Sequence, residues 1–191
     1  MSKWSDLWKS DGYKSGKTKN FSVVDSYIKF EPKNILDIGC GYARESKCFQ
    51  EKYNSNLYLL DGNPKKDSQK RQIKYGSAES MDFYNSIENL KKYYDSENMR
   101  YNFIDAANPI IPKDIKFDLI YSFLSCGFHY PANTYKELIQ KHSTEDTLII
   151  FDIRHLNKQK NIQILDIVNR ERKSLKCSIK FVDGGNNEQV A

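Results

Sequence analysis

Asn34-Ile35-Leu36-Asp37-Ile38-Gly39-Cys40-Gly41-Tyr42-Ala43-Arg44 is the stretch on which the fold turns. Asn34–Ile38 is a short, mostly apolar run bounded by Pro32 and Gly39, the pattern of a buried strand. Helical character follows over Ala43–Tyr53. Between the two, Gly39 permits a tight turn and Gly41 lets backbone approach a ligand with no Cβ in the way.

The same alternation continues in both directions. Phe21, Val24 and Ile28 share one helical face within Phe21–Phe30, ahead of the first strand. A second strand, Asn56–Leu60, runs into Asp61-Gly62-Asn63-Pro64, which is strong turn chemistry. In the long stretch Lys65–Arg100, Ser80–Tyr94 carries Phe83, Ile87, Leu90 and Tyr94 at helical spacing. Strands follow at Tyr101–Ile104, Phe117–Phe123 and Thr147–Ile153, with helices over Thr134–Lys141 and Asn161–Arg170 and a last strand at Ser178–Val182. Pro109 and Pro112 exclude a regular helix between the third and fourth strands.

Strands alternating with helices predict an α/β fold, a Rossmann-like doubly wound and mainly parallel sheet with helices on both faces. Residues 1–191 read as one domain, with 1–30 an N-terminal helical or lid segment and 34–182 the sheet core. After Gly184-Gly185-Asn186-Asn187 only Glu188–Ala191 remains, so the final strand is expected to be truncated. The sheet edge it leaves is one that a second copy of the chain could cover, as a homodimer.

Composition narrows the class further. The 191 residues carry 30 Lys and Arg against 25 Asp and Glu, and aromatic residues make up 13%. That aromatic content excludes a disordered chain. Basic and acidic residues are interleaved and the net charge is only +5, so no nucleic-acid partner is expected. The apolar runs are far shorter than the roughly 20 residues that span a bilayer. Met1-Ser2-Lys3-Trp4 opens no apolar signal region, so the expected location is the cytoplasm. Cys40, Cys48, Cys126 and Cys177 lack metal-ligand spacing and read as free thiols. No pair of histidines has the spacing of a zinc helix, and no metal is expected.

In a parallel sheet of this kind ligands sit beyond the carboxyl ends of the strands. A dinucleotide fingerprint would require a glycine where Arg44 stands, and no triphosphate-binding glycine-lysine loop is present. The string Ile-Leu-Asp-Ile-Gly-Cys-Gly-Tyr-Ala over 35–43 instead resembles motif I of the class I S-adenosylmethionine-dependent methyltransferases, with Ala43 replacing the frequent third glycine. The resemblance runs from about Asn34 to Arg154. It implies S-adenosylmethionine as cofactor, with S-adenosylhomocysteine as product. It places Gly39, Cys40 and Gly41 in the cofactor loop and Asp37 near the methionine portion. Asp61, closing the second strand, matches the acid that accepts both ribose hydroxyls. Asp105 with Ala106, after the third strand, matches the residues at the adenine, and Ser122 closes the fourth strand on the cofactor.

The segment from Ser122 to Pro131 departs from the Pro-Pro motif of enzymes acting on base amines, and a ribose-methylating Lys-Asp-Lys-Glu set is not recognisable. Its Ser-x-x-Ser-x-Gly-Phe-His-Tyr-Pro string is similar to that of sugar O-methyltransferases. The resemblance implies methyl transfer to a hydroxyl oxygen of a small molecule or sugar. An alcohol must lose its proton in that reaction, and His129 is the candidate base, with His155 the second. Tyr13, Ser125, Asp152 and Arg154 are the candidate substrate contacts, Arg154 through its fork of donors. Two other readings use the same fold: cleavage of the cofactor or aminopropyl transfer, and a non-catalytic cofactor-binding protein. A packed, hydrogen-bonded role for His129 and a structural Asp152–Arg154 ion pair also remain open.

Overall fold

The computed structural model describes residues 20–63, 85–123, 125–126 and 132–151. Its elements are α1 (20–27), β1 (Asn34–Ile38), α2 (Arg44–Tyr53), β2 (Asn56–Asp61), α3 (Ile87–Ser96), β3 (Tyr101–Asp105), β4 (Leu119–Ser122), α4 (Lys136–His142) and β5 (Leu148–Phe151). Ala132–Tyr135 form a short 3-10 turn leading into α4. The described strands make one sheet in the order β3-β2-β1-β4-β5, parallel throughout.

Alternation along the strands divides the core into two layers. Ile35, Leu57, Leu59, Leu119, Tyr121 and Ile150 pack under α1, α2 and α3 through Val24, Ile28, Phe49, Leu90 and Tyr94. On the opposite face Leu36, Ile38, Leu60, Ile120 and Ile149 pack against Tyr135 and Ile139 of the 3-10 turn and α4. Both faces are covered, and the Rossmann-like doubly wound architecture expected from the sequence is present. The chain runs outward from β1 to β3 and then crosses back to β4. The switch point therefore lies between β1 and β4. Asp118 fixes the other end of that pair: its Oδ2 accepts the backbone N–H groups of Lys33 and Asn34 at 2.7 and 2.8 Å.

Element boundaries differ from the sequence reading where a side chain intervenes. The helix expected from Ser80 starts, within the described residues, only at Ile87. Ser86 is extended and its hydroxyl accepts the Asn89 N–H at 3.2 Å, a helix cap. Asn63 Oδ1 accepts the Ile87 N–H at 2.8 Å and fixes the same end. The fourth strand is Leu119–Ser122 rather than Phe117–Phe123, because Phe117 N–H is taken by the carbonyl of His142 at the end of α4. β2 runs one residue further than expected, through Asp61. The expected helix over Asn161–Arg170 and strand over Ser178–Val182 lie outside the described residues. Among the described residues no helix is long and apolar enough to cross a membrane.

Candidate functional site

Register brings the site together. Ile38 pairs with Leu60, and Asp61 with Asp105, so β1, β2 and β3 end side by side. The loop leaving β1 is tied first to β2, where Leu60 O accepts Gly39 N–H and Cys40 N–H at 2.7 and 3.1 Å. It then coils through three left-handed residues, Gly39 (φ +74°), Gly41 (φ +49°) and Ala43 (φ +47°). Ala43 caps α2 with no side-chain hydrogen bond. It adopts the conformation that a third glycine would have taken freely.

Asp61 is the centre of the arrangement. Its Oδ1 accepts Gly62 N–H and its Oδ2 accepts Gly41 N–H, each at 2.7 Å. A carboxylate oxygen offers two acceptor directions, so each has one left after its backbone donor. Burial pushes the Asp61 carboxyl up to about 6, against the opposing pull of the two N–H groups. Above that pH it is an ionised acceptor whose remaining lone pairs suit two adjacent hydroxyls. Next to it, a Cβ built on Gly41 would meet no atom within 4 Å. Backbone at Gly41 is thus open on its Cβ side, while its N–H is taken by Asp61.

Gly39 differs. A Cβ there would fall 1.9 Å from Ser125 Oγ. Ser125, expected as a substrate contact, is thereby placed directly over the glycine loop. Its neighbours are held from β4: the buried Ser122 hydroxyl donates to Ile38 O at 2.6 Å and accepts Cys126 N–H at 2.8 Å. Ser122, expected at the cofactor, thus uses its side chain to clasp the two strands flanking the switch point.

Asp37 is likewise engaged with its own scaffold. Ser46 Oγ and Tyr121 OH donate to its Oδ2 at 2.8 and 2.9 Å and lie 2.6 Å from each other. Burial, reinforced by the Asp37 charge, holds the Tyr121 phenol well above its ordinary range, so it stays a neutral donor. Cys40 is buried, and burial with the Asp61 and Asp37 charges raises its thiol well above the ordinary range. Asp105 is exposed and accepts Ala107 N–H at 2.8 Å, while Ala106 N–H bonds back to Asp61 O at 2.8 Å. Both expected adenine-side residues therefore stand beside the strand end that carries Asp61.

The structure brings Asp37, Gly39, Cys40, Gly41, Asp61, Asp105, Ala106, Ser122 and Ser125 to one end of the sheet. Tyr13, His129, Asp152, Arg154 and His155 lie outside the described residues. His142 is buried with Nδ1 2.9 Å from Ile115 O, a packing role. A shallow groove of about 790 Å³ along the outer edge of β3, between Lys91 and Ile110, contains none of these site residues. Among the described residues no group of acids, histidines and cysteines is placed to hold a metal ion. Sequence reading missed Ser46, Tyr121 and Tyr94, whose hydroxyls bind the site from α2, β4 and α3. Only the helical spacing of Tyr94 was visible, and that marks a core ring.

Fold and strand ends together define a Rossmann-like α/β protein whose glycine loop and Asp61 meet beside the switch point. No protein-family model and no curated protein sequence matches the chain. Among solved structures, the PH0226 protein from Pyrococcus horikoshii OT3 is similar over 83% of this chain and 63% of its own, with 18% identity and a TM-score of 0.54. A methyltransferase from Pyrococcus furiosus is similar over 88% of this chain and 78% of its own, with 14% identity and a TM-score of 0.53. The plantazolicin methyltransferase BpumL, in complex with a pentazolic desmethylPZN analog and SAH, is similar over 91% of this chain and 62% of its own, at 16% identity and a TM-score of 0.50. The chain thus spans less than two thirds of PH0226 and of BpumL. At these identities what is shared is the fold.

Proposed function

We propose that the protein is an S-adenosylmethionine-dependent methyltransferase that methylates a hydroxyl oxygen of a small molecule or sugar. The observation that carries the reading is the Asp61 carboxylate at the end of β2, oriented by Gly41 N–H and bordered by approachable backbone at Gly41. Asp61 would accept the ribose diol, Asp105 and Ala106 would meet the adenine, and the Gly39–Gly41 backbone would lie along the nucleoside. The bound cofactor supplies an electrophilic methyl group on a sulfonium. The protein's part is alignment of an oxygen in line with that methyl, together with removal of the acceptor's proton. The fold shared with the Pyrococcus furiosus methyltransferase and BpumL supports the class.

Calorimetric titration with S-adenosylhomocysteine and, separately, with NAD tests the cofactor. Micromolar binding of the first and none of the second is expected. Binding of NAD, or of neither, would remove the proposal. Candidate acceptors are then screened by release of S-adenosylhomocysteine. With an active acceptor in hand, His129→Ala is expected to lower turnover by about 10²–10⁴-fold while leaving cofactor affinity unchanged. Full turnover in that variant would pass the base role to His155 or to solvent.

A further inference from the structure

The long connection between β2 and β3 ends in α3, and the side chain that α3 sends to the strand ends is Tyr94. Its ring is fully buried, edge-on to Tyr93 and Tyr101. Its hydroxyl donates to the carbonyl oxygen of Gly41. The Cys40 thiol lies 3.4 Å from the same hydroxyl. Since the Tyr94 proton is committed to Gly41, the thiol is the donor in that second contact. Gly41 is thus held from both sides, its N–H by Asp61 and its C=O by Tyr94. A glycine with a positive φ has no side chain of its own to fix it, so its conformation depends on such external bonds.

We propose that Tyr94 is a positioning residue: its hydroxyl fixes the Gly39–Gly41 loop so that Gly41 N–H holds the Asp61 carboxylate in the orientation two vicinal hydroxyls require. This rests on the cofactor reading of the site. It also gives the segment between β2 and β3 a task, since α3 carries the anchor of the cofactor loop. Burial keeps the Tyr94 phenol well above its ordinary range, so the donor stays protonated at any working pH. The Gly41 N–H keeps its bond to Asp61 and the Tyr94 ring keeps its packing on Tyr101, so the fold survives removal of the hydroxyl.

Tyr94→Phe keeps the ring and deletes the hydroxyl. Tyr101→Phe, on a ring that packs against Tyr94 and whose hydroxyl bonds Asp95, is the packing control. The expected result is S-adenosylhomocysteine affinity about tenfold weaker in Tyr94→Phe and unchanged in Tyr101→Phe. In the ligand-free protein, amide exchange at Gly41 and Ala43 is expected to quicken about tenfold in Tyr94→Phe alone, with Leu57–Leu60 unaffected. Wild-type affinity in Tyr94→Phe, or equal losses in both variants, would overturn the positioning role while leaving the proposed function standing. A wild-type protein that binds no S-adenosylhomocysteine would overturn both.

Discussion

Gly39→Ala is expected to destabilise the fold by about 3 kcal/mol and to lower Tm by on the order of 10 °C. Two independent effects add. At φ +74° a side chain costs roughly 1–2 kcal/mol of backbone strain. Its Cβ would also stand 1.9 Å from Ser125 Oγ and 2.3 Å from Ser125 Cβ, and overpacking of that kind costs typically 1–3 kcal/mol. Ser125 cannot simply retreat, because Cys126 beside it is bonded to Ser122, and Ser122 to Ile38 O. The clash is therefore passed to both strands at the switch point. Gly41→Ala makes the contrast: with no atom within 4 Å of the added methyl, only the backbone cost applies to stability. On the proposed function the methyl would intrude on the cofactor, so affinity is expected to fall more than Tm. Chemical denaturation of Gly39→Ala, Ser125→Gly and the double variant checks the packing argument. The double variant should be more stable than the sum of the single losses by about 1–2 kcal/mol. Simple additivity would mean that the two residues do not touch.

The sequence made the architecture legible wherever local pattern and topology agree. β1 is legible at Asn34–Ile38 because Ile35, Leu36 and Ile38 put apolar side chains on both faces of a parallel strand and the run ends sharply at Gly39. Asp61 and Asp105 could be placed at one edge because strands running parallel bring their carboxyl ends to the same side. What could not be read was which polar atoms the fold would spend on itself. Asp37 and Ser122 sit where ligand contacts were expected, yet their partners come from other elements, the Ser46 and Tyr121 hydroxyls for the first and the Ile38 carbonyl and Cys126 N–H for the second. Tyr94 shows the reverse: as a letter at helical spacing it is one more core ring. Its hydroxyl acquires meaning only when α3 is packed over the Gly39–Gly41 loop, a relation between residues more than fifty positions apart. Helix starts failed for a similar reason, since Ser86 and Asn63 decide where α3 begins and the apolar period of Ser80–Tyr94 does not register them.

Asp61→Asn is expected to weaken S-adenosylhomocysteine binding by about 10²-fold, through loss of the charged acceptor for two hydroxyls. Asparagine keeps one oxygen for a backbone N–H but turns its amide N–H toward the other backbone donor. Its stability is therefore compared with the wild type as a slope in pH, which that fixed cost does not change. The pH dependence is the sharper signature. The folded protein holds the Asp61 proton with a value of about 6, against 3.8 for the ordinary side chain. The folded state therefore binds that proton more tightly than the unfolded chain does. Stability from it is complete below about pH 3.8 and lost as pH rises through 6. Between pH 4 and pH 7 the wild type should lose about 2 kcal/mol relative to Asp61→Asn, measured by denaturation of both across that range. Binding has the opposite sign, since hydroxyl donors require the ionised carboxylate. Wild-type affinity should be about tenfold weaker at pH 5 than at pH 7, with a proton released on binding, and Asp61→Asn should show no such slope. Calorimetry in two buffers of different ionisation enthalpy reads that proton directly. A buried charge that weakens the fold at neutral pH is what the proposed grip on ligand hydroxyls would require. If binding proved independent of pH in the wild type, or if Asp61→Asn bound as tightly, the hydroxyl-gripping role of Asp61 would be wrong and the cofactor assignment would fall with it.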